Sequence, residues 1–402
     1  MSTVHRNHND NETLSPQMKA VSNFCSFTHY RESCHKTLSS VNSTDPKEFI
    51  SKAILATEEA VKKFFNYSDS LIVQVKNNNL TKMALNDCKD MMDYAVDSLQ
   101  ASYSDVGGCE LRNINDHKND LRTWLSAVIS YQQSCLDGFK HDNNMKETMQ
   151  KGIIDAHELT AKDRHLLARI DNSNLKPNIV VAKDGSGQFK TIDKQYTNIM
   201  MYGDGPRKTI VTGHKGFKNG GGITTWQTAT FSAIGNGFIA KFMGFQNTAG
   251  PEKHEAVAIR IQSDKSTFFN CRIDAYQDTL YNQANRQLFR NCVISGTIDF
   301  IFGDSPTVIQ NSLIIIISEQ KLFNDRFKIA TFLGRPWKKF STTVIMESIL
   351  GDFIKPEGWI LFEGPDKVNY EETLYYAEYN NRGPGANLNA RVNWKGYHKI
   401  DR

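Results

Sequence analysis

The sequence predicts two domains, a helical bundle followed by a parallel β-helix, and three observations carry that reading. Apolar residues recur at helical spacing through most of the first 167 positions. Beyond them the pattern changes to short apolar or β-branched segments separated by turns, with no helical period. Within this second part an asparagine repeats: Asn247 in Phe-Gln-Asn, Asn270 in Phe-Phe-Asn-Cys, Asn291 in Phe-Arg-Asn-Cys and Asn311 in Ile-Gln-Asn-Ser, at intervals of 23, 21 and 20. A period near twenty without helices is one coil of a β-solenoid. At 402 residues and 39% hydrophobic content the chain is long enough for two cores.

The helices follow in order. Residues 1–20 are expected to be disordered. Asp45-Pro46-Lys47-Glu48 offers an N-cap, a proline at N1 and a capping-box acid, and Phe49, Ile50, Ala53, Ile54, Val61, Phe64 and Phe65 then fall on one helix face. Similar stripes run through Met83 to Leu99 (Cys88, Met91, Met92, Ala95, Val96) and Leu121 to Leu136 (Trp124, Leu125, Val128, Ile129, Cys135), and Ile153 to Leu167 forms a further segment. These stripes read as bundle core over residues 21–167, ahead of a linker at 168–177. The β-helix, residues 178–402, opens with Asn178-Ile179-Val180-Val181-Ala182 and the turn Asp184-Gly185-Ser186-Gly187. Later strands are Arg272-Ile273, Val293-Ile294 and Leu313-Ile314-Ile315, each just after its asparagine.

Candidate chemistry lies in two motifs of this second part. Asp278, in Tyr276-Gln277-Asp278-Thr279-Leu280, and Asp299, in Gly296-Thr297-Ile298-Asp299-Phe300-Ile301-Phe302-Gly303, are separated by one local period, the same interval as Asn270 to Asn291. They are expected to stack on adjacent coils, roughly 4.8 Å apart. Two carboxylates that close titrate as a pair, one held as the acid and the other as an anionic nucleophile. Gln277 can donate amide N–H to a developing oxyanion. Leu333-Gly334-Arg335-Pro336-Trp337 adds a guanidinium suited to a carboxylate and an indole suited to a sugar ring.

These motifs resemble the plant pectinesterases, carbohydrate esterases that demethylate homogalacturonan. The likeness continues through Gly235-Asn236-Gly237-Phe238-Ile239-Ala240, Asn247-Thr248-Ala249-Gly250-Pro251, Ala256-Val257-Ala258 and Gly383-Pro384-Gly385-Ala386, and covers nearly the whole chain. It implies an aspartyl esterase on a right-handed parallel β-helix, acting on methyl-esterified pectin. Asp299 is then the nucleophile, Asp278 the general acid and base, Gln277 the oxyanion donor and Arg335 the group that orients Asp299. Tyr276, Glu255, Phe302 and Trp337 line the substrate site, with no metal or cofactor. Where the family reads Gln-Ala-Val-Ala, this chain reads Glu255-Ala256-Val257-Ala258. An ionised Glu255 accepts only, and losing one oxyanion donor costs on the order of 10²- to 10³-fold in turnover. The chain is also short between Ile192 and Asn198 and between Ser318 and Phe332, so the β-helix is expected to lack coils.

The helical half is similar to the invertase/pectinesterase-inhibitor four-helix bundle, and that likeness implies the disulfides Cys25–Cys34 and Cys88–Cys135. Cys109 is left over, and Cys271 and Cys292, one coil apart, either pair or stack as thiols. Asp163-Arg164-His165-Leu166-Leu167 resembles the family's basic-x-Leu-Leu processing site, with Arg164 and Leu167 as its marks; cleavage there would make the bundle a removable pro-domain and a processing protease a partner. Sequons at Asn11, Asn42, Asn66 and Asn79 join the cysteines in pointing to the secretory route and the cell wall, although residues 1–20 hold no apolar h-region. No run reaches transmembrane length.

Charge divides unevenly. Residues 1–167 hold 19 Lys+Arg against 22 Asp+Glu, a balance of −3, and residues 168–402 hold 29 against 22, a balance of +7. A basic second half suits an acidic polymer. It does not suit nucleic acid, because no basic run or binding motif accompanies it. A monomer is expected. The competing readings are a catalytically inactive, wall-binding or inhibitor-like relative, favoured by Glu255 and the missing coils, and a pectate lyase or polygalacturonase, which the two Asp motifs oppose.

Overall fold

The structure is a computed structural model that describes residues 15–26, 28, 30–75, 78–108, 114–166, 197–218, 222–317, 330–362 and 369–401. It divides into two compact units, the first ending at Ile316 and the second beginning at Ile317.

Six helices open the first unit: α1 (Pro16–Cys25), α2 (Arg31–Leu38), α3 (Pro46–Gln74), α4 (Asn79–Gly108), α5 (Ile114–Asp137) and α6 (Asn143–Leu166). The last four are long and pack with one another, α3 on α4 and α6, α5 on α4 and α6. Asp45 caps α3 as its sequence requires, its carboxylate accepting from the Lys47 amide at 2.8 Å. The expected stripes are the core, with Ile54, Val61, Leu85, Met92, Leu99, Leu125 and Val128 all fully buried. Two disulfides form, Cys25–Cys34 between α1 and α2 and Cys88–Cys135 between α4 and α5.

One expectation needs correction: residues 16–20 are helical rather than disordered. Ser15 caps α1 and Pro16 stands at its first position, and Val21 and Phe24 of the same helix pack against Phe49 of α3. Residues 1–14, with Asn11, lie outside the described residues, as do Cys109, Leu167, the linker, and the expected opening strand and turn at 178–187.

Short strands then wind into coils. The first described coil carries β1 (Met200–Tyr202), β2 (Ile210–Gly213) and β3 (Phe231–Ala233); the second, β4 (Ile239–Lys241), β5 (Gly244–Asn247) and β6 (Ile259–Ile261). The third holds β7 (Ser266–Phe269), β8 (Arg272–Asp274) and β9 (Leu280–Asn282), the fourth β10 (Gln287–Arg290), β11 (Val293–Gly296) and β12 (Ile301–Gly303), and β13 (Thr307–Gln310) and β14 (Leu313–Ile316) begin a fifth. The chain visits three sheets in rotation, ordered β1-β4-β7-β10-β13, β2-β5-β8-β11-β14 and β3-β6-β9-β12, and every pairing is parallel. This is a three-sided parallel β-helix.

Inward positions stack like on like, Phe268 over Phe289 at 4.8 Å and Phe245 over Ile273 and Ile294. Each such buried side chain contributes roughly 1.5–3 kcal/mol. Ser266 pairs with Gln287, and Gln287 with Thr307, so the sheet steps by the periods that Asn270, Asn291 and Asn311 mark. These three asparagines adopt left-handed φ of 50°, 56° and 49° in the turns between the first and second sheets. Asn247 is not one of them: it ends β5. Phe242, with φ 56°, holds the corresponding turn one coil before Asn270, directly after the pairing of Lys241 with Phe269.

The second unit is built on the parallel sheet β15 (Thr342–Met346), β16 (Tyr375–Tyr379) and β17 (Tyr397–Lys399), over a small core of Trp359, Leu374 and Tyr376. A buried Glu378–Arg391 ion pair lies at its centre. Among the described residues no helix is long and apolar enough to cross a membrane.

Candidate active site

The third sheet and the turns that lead into it form the site. Leu280 pairs with Ile301 and with Ile259, so the residues before β6, β9 and β12 fall into matching rows. Asp278 and Asp299 occupy the same place on adjacent coils, and both adopt left-handed φ, 64° and 45°. That conformation is uncommon outside glycine, and Asp and Asn tolerate it best.

Backbone bonds hold the rows together. The Asp278 amide donates to Ile298 O at 3.1 Å, Thr297 N to Tyr276 O at 2.9 Å, and Ala256 N to Gln277 O at 3.2 Å. The buried Thr279 hydroxyl ties the turn from within, bonding Tyr276 O and Ser295 O. Asp278 is buried at 6% exposure, whereas Tyr276, Gln277 and Asp299 are half-buried. The structure thus brings Glu255, Tyr276, Gln277, Asp278 and Asp299 into one stacked row of turns, with Phe302 shortly beyond Asp299 on β12. Arg335 and Trp337 belong to the second unit, where both stand over Phe362, the guanidinium 4.9 Å from its ring centre and the indole stacked at 5.5 Å.

Glu255 carries an ion pair from the helical region: Lys140, in the turn after α5, bonds its carboxylate. Burial raises the Glu255 carboxyl, but the Lys140 hydrogen bond and charge outweigh burial and hold it below the usual carboxylate range. It is therefore an anion here and offers no proton to hydrogen-bond an oxyanion.

Three residues of this region escaped sequence reasoning. The outward row of the third sheet runs Ser232, Arg260, Tyr281, Phe302. Tyr281 stacks on Phe302 at 4.4 Å, and its hydroxyl meets Ser134 of α5 at 3.2 Å. Arg260 lies 3.4 Å over the ring of Trp226, which itself packs among the helices. Asp87 of α4, whose carboxyl burial pushes up to about 6, accepts from Thr224 and Gln227. The one-coil register that relates Asp278 to Asp299 also relates Tyr281 to Phe302, and was the signal available for it.

A parallel β-helix with a stacked acid pair at its third sheet, carrying a helical region on that sheet's outer face, defines the class: a β-helix carboxylic ester hydrolase. Comparison with known proteins gives the family. The chain matches Pectinesterase over residues 191–321 and 314–402, and Plant invertase/pectin methylesterase inhibitor over residues 19–172. It is 36% identical to the Probable pectinesterase/pectinesterase inhibitor 21 of Arabidopsis thaliana, over 95% of this chain and 72% of that protein. It is 34% identical to Pectinesterase 4 of the same plant, over 96% and 90%. Among solved structures it is similar to pectin methylesterase from carrot, 38% identical over 58% of this chain and 91% of that one, with a TM-score of 0.49. The chain belongs to the pectinesterase family, with an inhibitor-like helical region at its N-terminus.

Proposed function

We propose that the chain hydrolyses methyl esters of homogalacturonan, releasing methanol and pectate. The observation that carries this is the placement of Asp278 and Asp299 in one left-handed turn position on adjacent coils, beside Gln277. The Asp299 carboxylate attacks the ester carbonyl carbon, and the oxyanion takes a hydrogen bond from the Gln277 amide. Asp278 gives its proton to the departing methoxide, leaving an anhydride on Asp299. Asp278, now a carboxylate, removes a proton from water, which attacks that anhydride and frees the acid product and Asp299. Tyr276 and Phe302 border the sugar. The roles of Arg335, orienting Asp299, and of Trp337, stacking on a sugar ring, rest on the Leu-Gly-Arg-Pro-Trp motif.

We assign the helices to a four-helix inhibitor fold with α1 and α2 as an N-terminal extension, and the β-helix to the right-handed form. The helical region acts as an internal pro-domain over residues 21–167, joined by a linker at 168–177 to the esterase at 178–402. A processing protease cuts after the segment holding Arg164, in the last turn of α6. Asn42, Asn66 and Asn79 are exposed and open to glycosylation on a route to the cell wall, and the protein acts as a monomer.

The test is methanol release from highly methylated pectin by the full chain. Asp299→Ala is expected to lower release by about 10³-fold or more. Equal release from that variant would remove the acid pair from the mechanism. Nothing in the family matches favours the inactive alternative.

A further inference from the structure

The contact at Glu255 is more than one ion pair. The turn between α5 and α6 lays two residues against the loop after β2: Lys140 stands 4.8 Å from the ring centre of Phe217, and the His141 ring lies tilted against the same phenyl at 5.0 Å. Phe217 is in turn fixed to the catalytic row, its amide donating to Glu255 O at 2.8 Å. Asn247 fastens this loop from below, its amide bonding Lys215 O at 2.8 Å and Val257 O at 3.0 Å. Gly216 permits the close approach, since a Cβ there would come 2.5 Å from the Lys253 side chain. The Glu255 side chain is 14% exposed, so little water competes with Lys140 for it.

We propose that Glu255 is a docking residue for the helical region, latched by Lys140, and that the position has exchanged an oxyanion donor for this tether. The docking half stands on the contacts above; the catalytic half rests on the function proposed in the preceding section. The exchange separates two effects usually joined. While the helices are seated, Lys140 neutralises Glu255. Once they leave, Glu255 remains a lone carboxylate beside Gln277, repelling the charge that develops on the ester oxygen. Removing the helical region therefore uncovers the site without completing it. A glutamine at 255 would weaken the latch and supply the missing donor together.

The experiment is amide hydrogen exchange on the full chain, followed in peptides covering 138–142 and 214–218, with the α4 core at 88–99 as a folding control. Lys140→Gln, Lys140→Glu, Glu255→Gln and Glu255→Lys are each expected to speed exchange in both peptides by about tenfold, with the control unchanged. The charge-swapped pair Lys140→Glu with Glu255→Lys is expected to return exchange to within about threefold of the native chain. Unchanged exchange in the single variants, or a swap no better than the two singles combined, overturns the latch. Methanol release from the same samples tests the second half: Glu255→Gln is expected to exceed the native chain by on the order of 10²-fold, and Lys140→Gln by far less. Equal gains in both variants would mean that Glu255 matters only for docking. If exchange behaves as expected but no variant releases methanol, the esterase reading fails and the latch stands.

Discussion

Among the described residues two arginines are buried, and they are paired very differently. Arg391, in the second unit, has every nitrogen engaged: Nε and Nη2 on the Glu378 carboxylate at 2.8 and 3.1 Å, Nη1 on Pro356 O, and Nη2 again on Gly385 O. Glu378 is completed by the Trp359 indole and the Tyr397 hydroxyl. Arg260, between the β-helix and the helices, has one hydrogen bond to Trp226 O and the face of the indole, and its Nε is buried without a hydrogen-bond partner. Burial lowers its pKa to about 10, against the pull of Tyr94, Tyr281, Asp87 and Asp90. Arg391 belongs to a domain core that forms once. Arg260 is a surface residue of one domain covered by another, and its pairing is incomplete.

The largest effect expected from this contrast is in the second unit. Glu378→Ala strands the Arg391 charge and should cost about 3–5 kcal/mol, read as faster exchange across β16. A cost below about 1 kcal/mol would erase the distinction between the two arginines.

The next prediction concerns pH. Burial raises Asp87 from 3.8 to about 6, and Thr224 and Gln227 of the β-helix region cover its carboxylate, so separation is expected to return it toward 3.8. Seating is therefore strengthened as pH falls from about 6 to about 4, by roughly 2–3 kcal/mol. Glu255 is lowered, so its contribution is present above its ordinary value of 4.5 and is lost as pH falls through its folded value. Together they place the tightest seating well below pH 6, between the gain that protonation of Asp87 gives and the loss that protonation of Glu255 brings. Exchange at 224–228 followed against pH should show that optimum, and Asp87→Asn should abolish its upper limb. A flat profile in the native chain would show that Asp87 does not report on seating.

The smallest effect belongs to the rim. Asp120 of α5 bonds Arg286 at 2.6 Å and Lys265 at 3.1 Å, but Arg286 keeps Asp264 when Asp120 is removed. Asp120→Asn should cost only about 0.5–1 kcal/mol by denaturant titration. A loss above about 2 kcal/mol, beyond the range of exposed ion pairs, would move the main tether from Glu255 and Asp87 to this edge.

What the sequence disclosed follows from what repeats. Parallel coils must pair in register, so the interval between Asp278 and Asp299, equal to that between Asn270 and Asn291, reads as a stacking distance from the sequence alone. The same argument would have reached Tyr281 from Phe302. Asn247 misled because spacing cannot tell a strand end from a turn: it is a buried amide bonded to three carbonyls, not a rung of the asparagine series. Ser15-Pro16 carries the same cap and proline as Asp45-Pro46, so the start of α1 was legible too. Lys140 was not. It meets Glu255 across a long stretch of chain and two folds, and a contact between surfaces of different periodicity leaves no period to read.

The left-handed turn has one more consequence. Asn291 and Asn311 use it to reach each other, amide to carbonyl at 2.6 Å, fastening one coil to the next. Asp278 and Asp299 use the same backbone shape on another edge. Asparagine and aspartate have nearly equal volume and share a tolerance for this conformation, so the fold does not distinguish them there. What separates a rivet from a reagent on this scaffold is a single heavy atom, nitrogen or oxygen, at the end of an otherwise identical side chain.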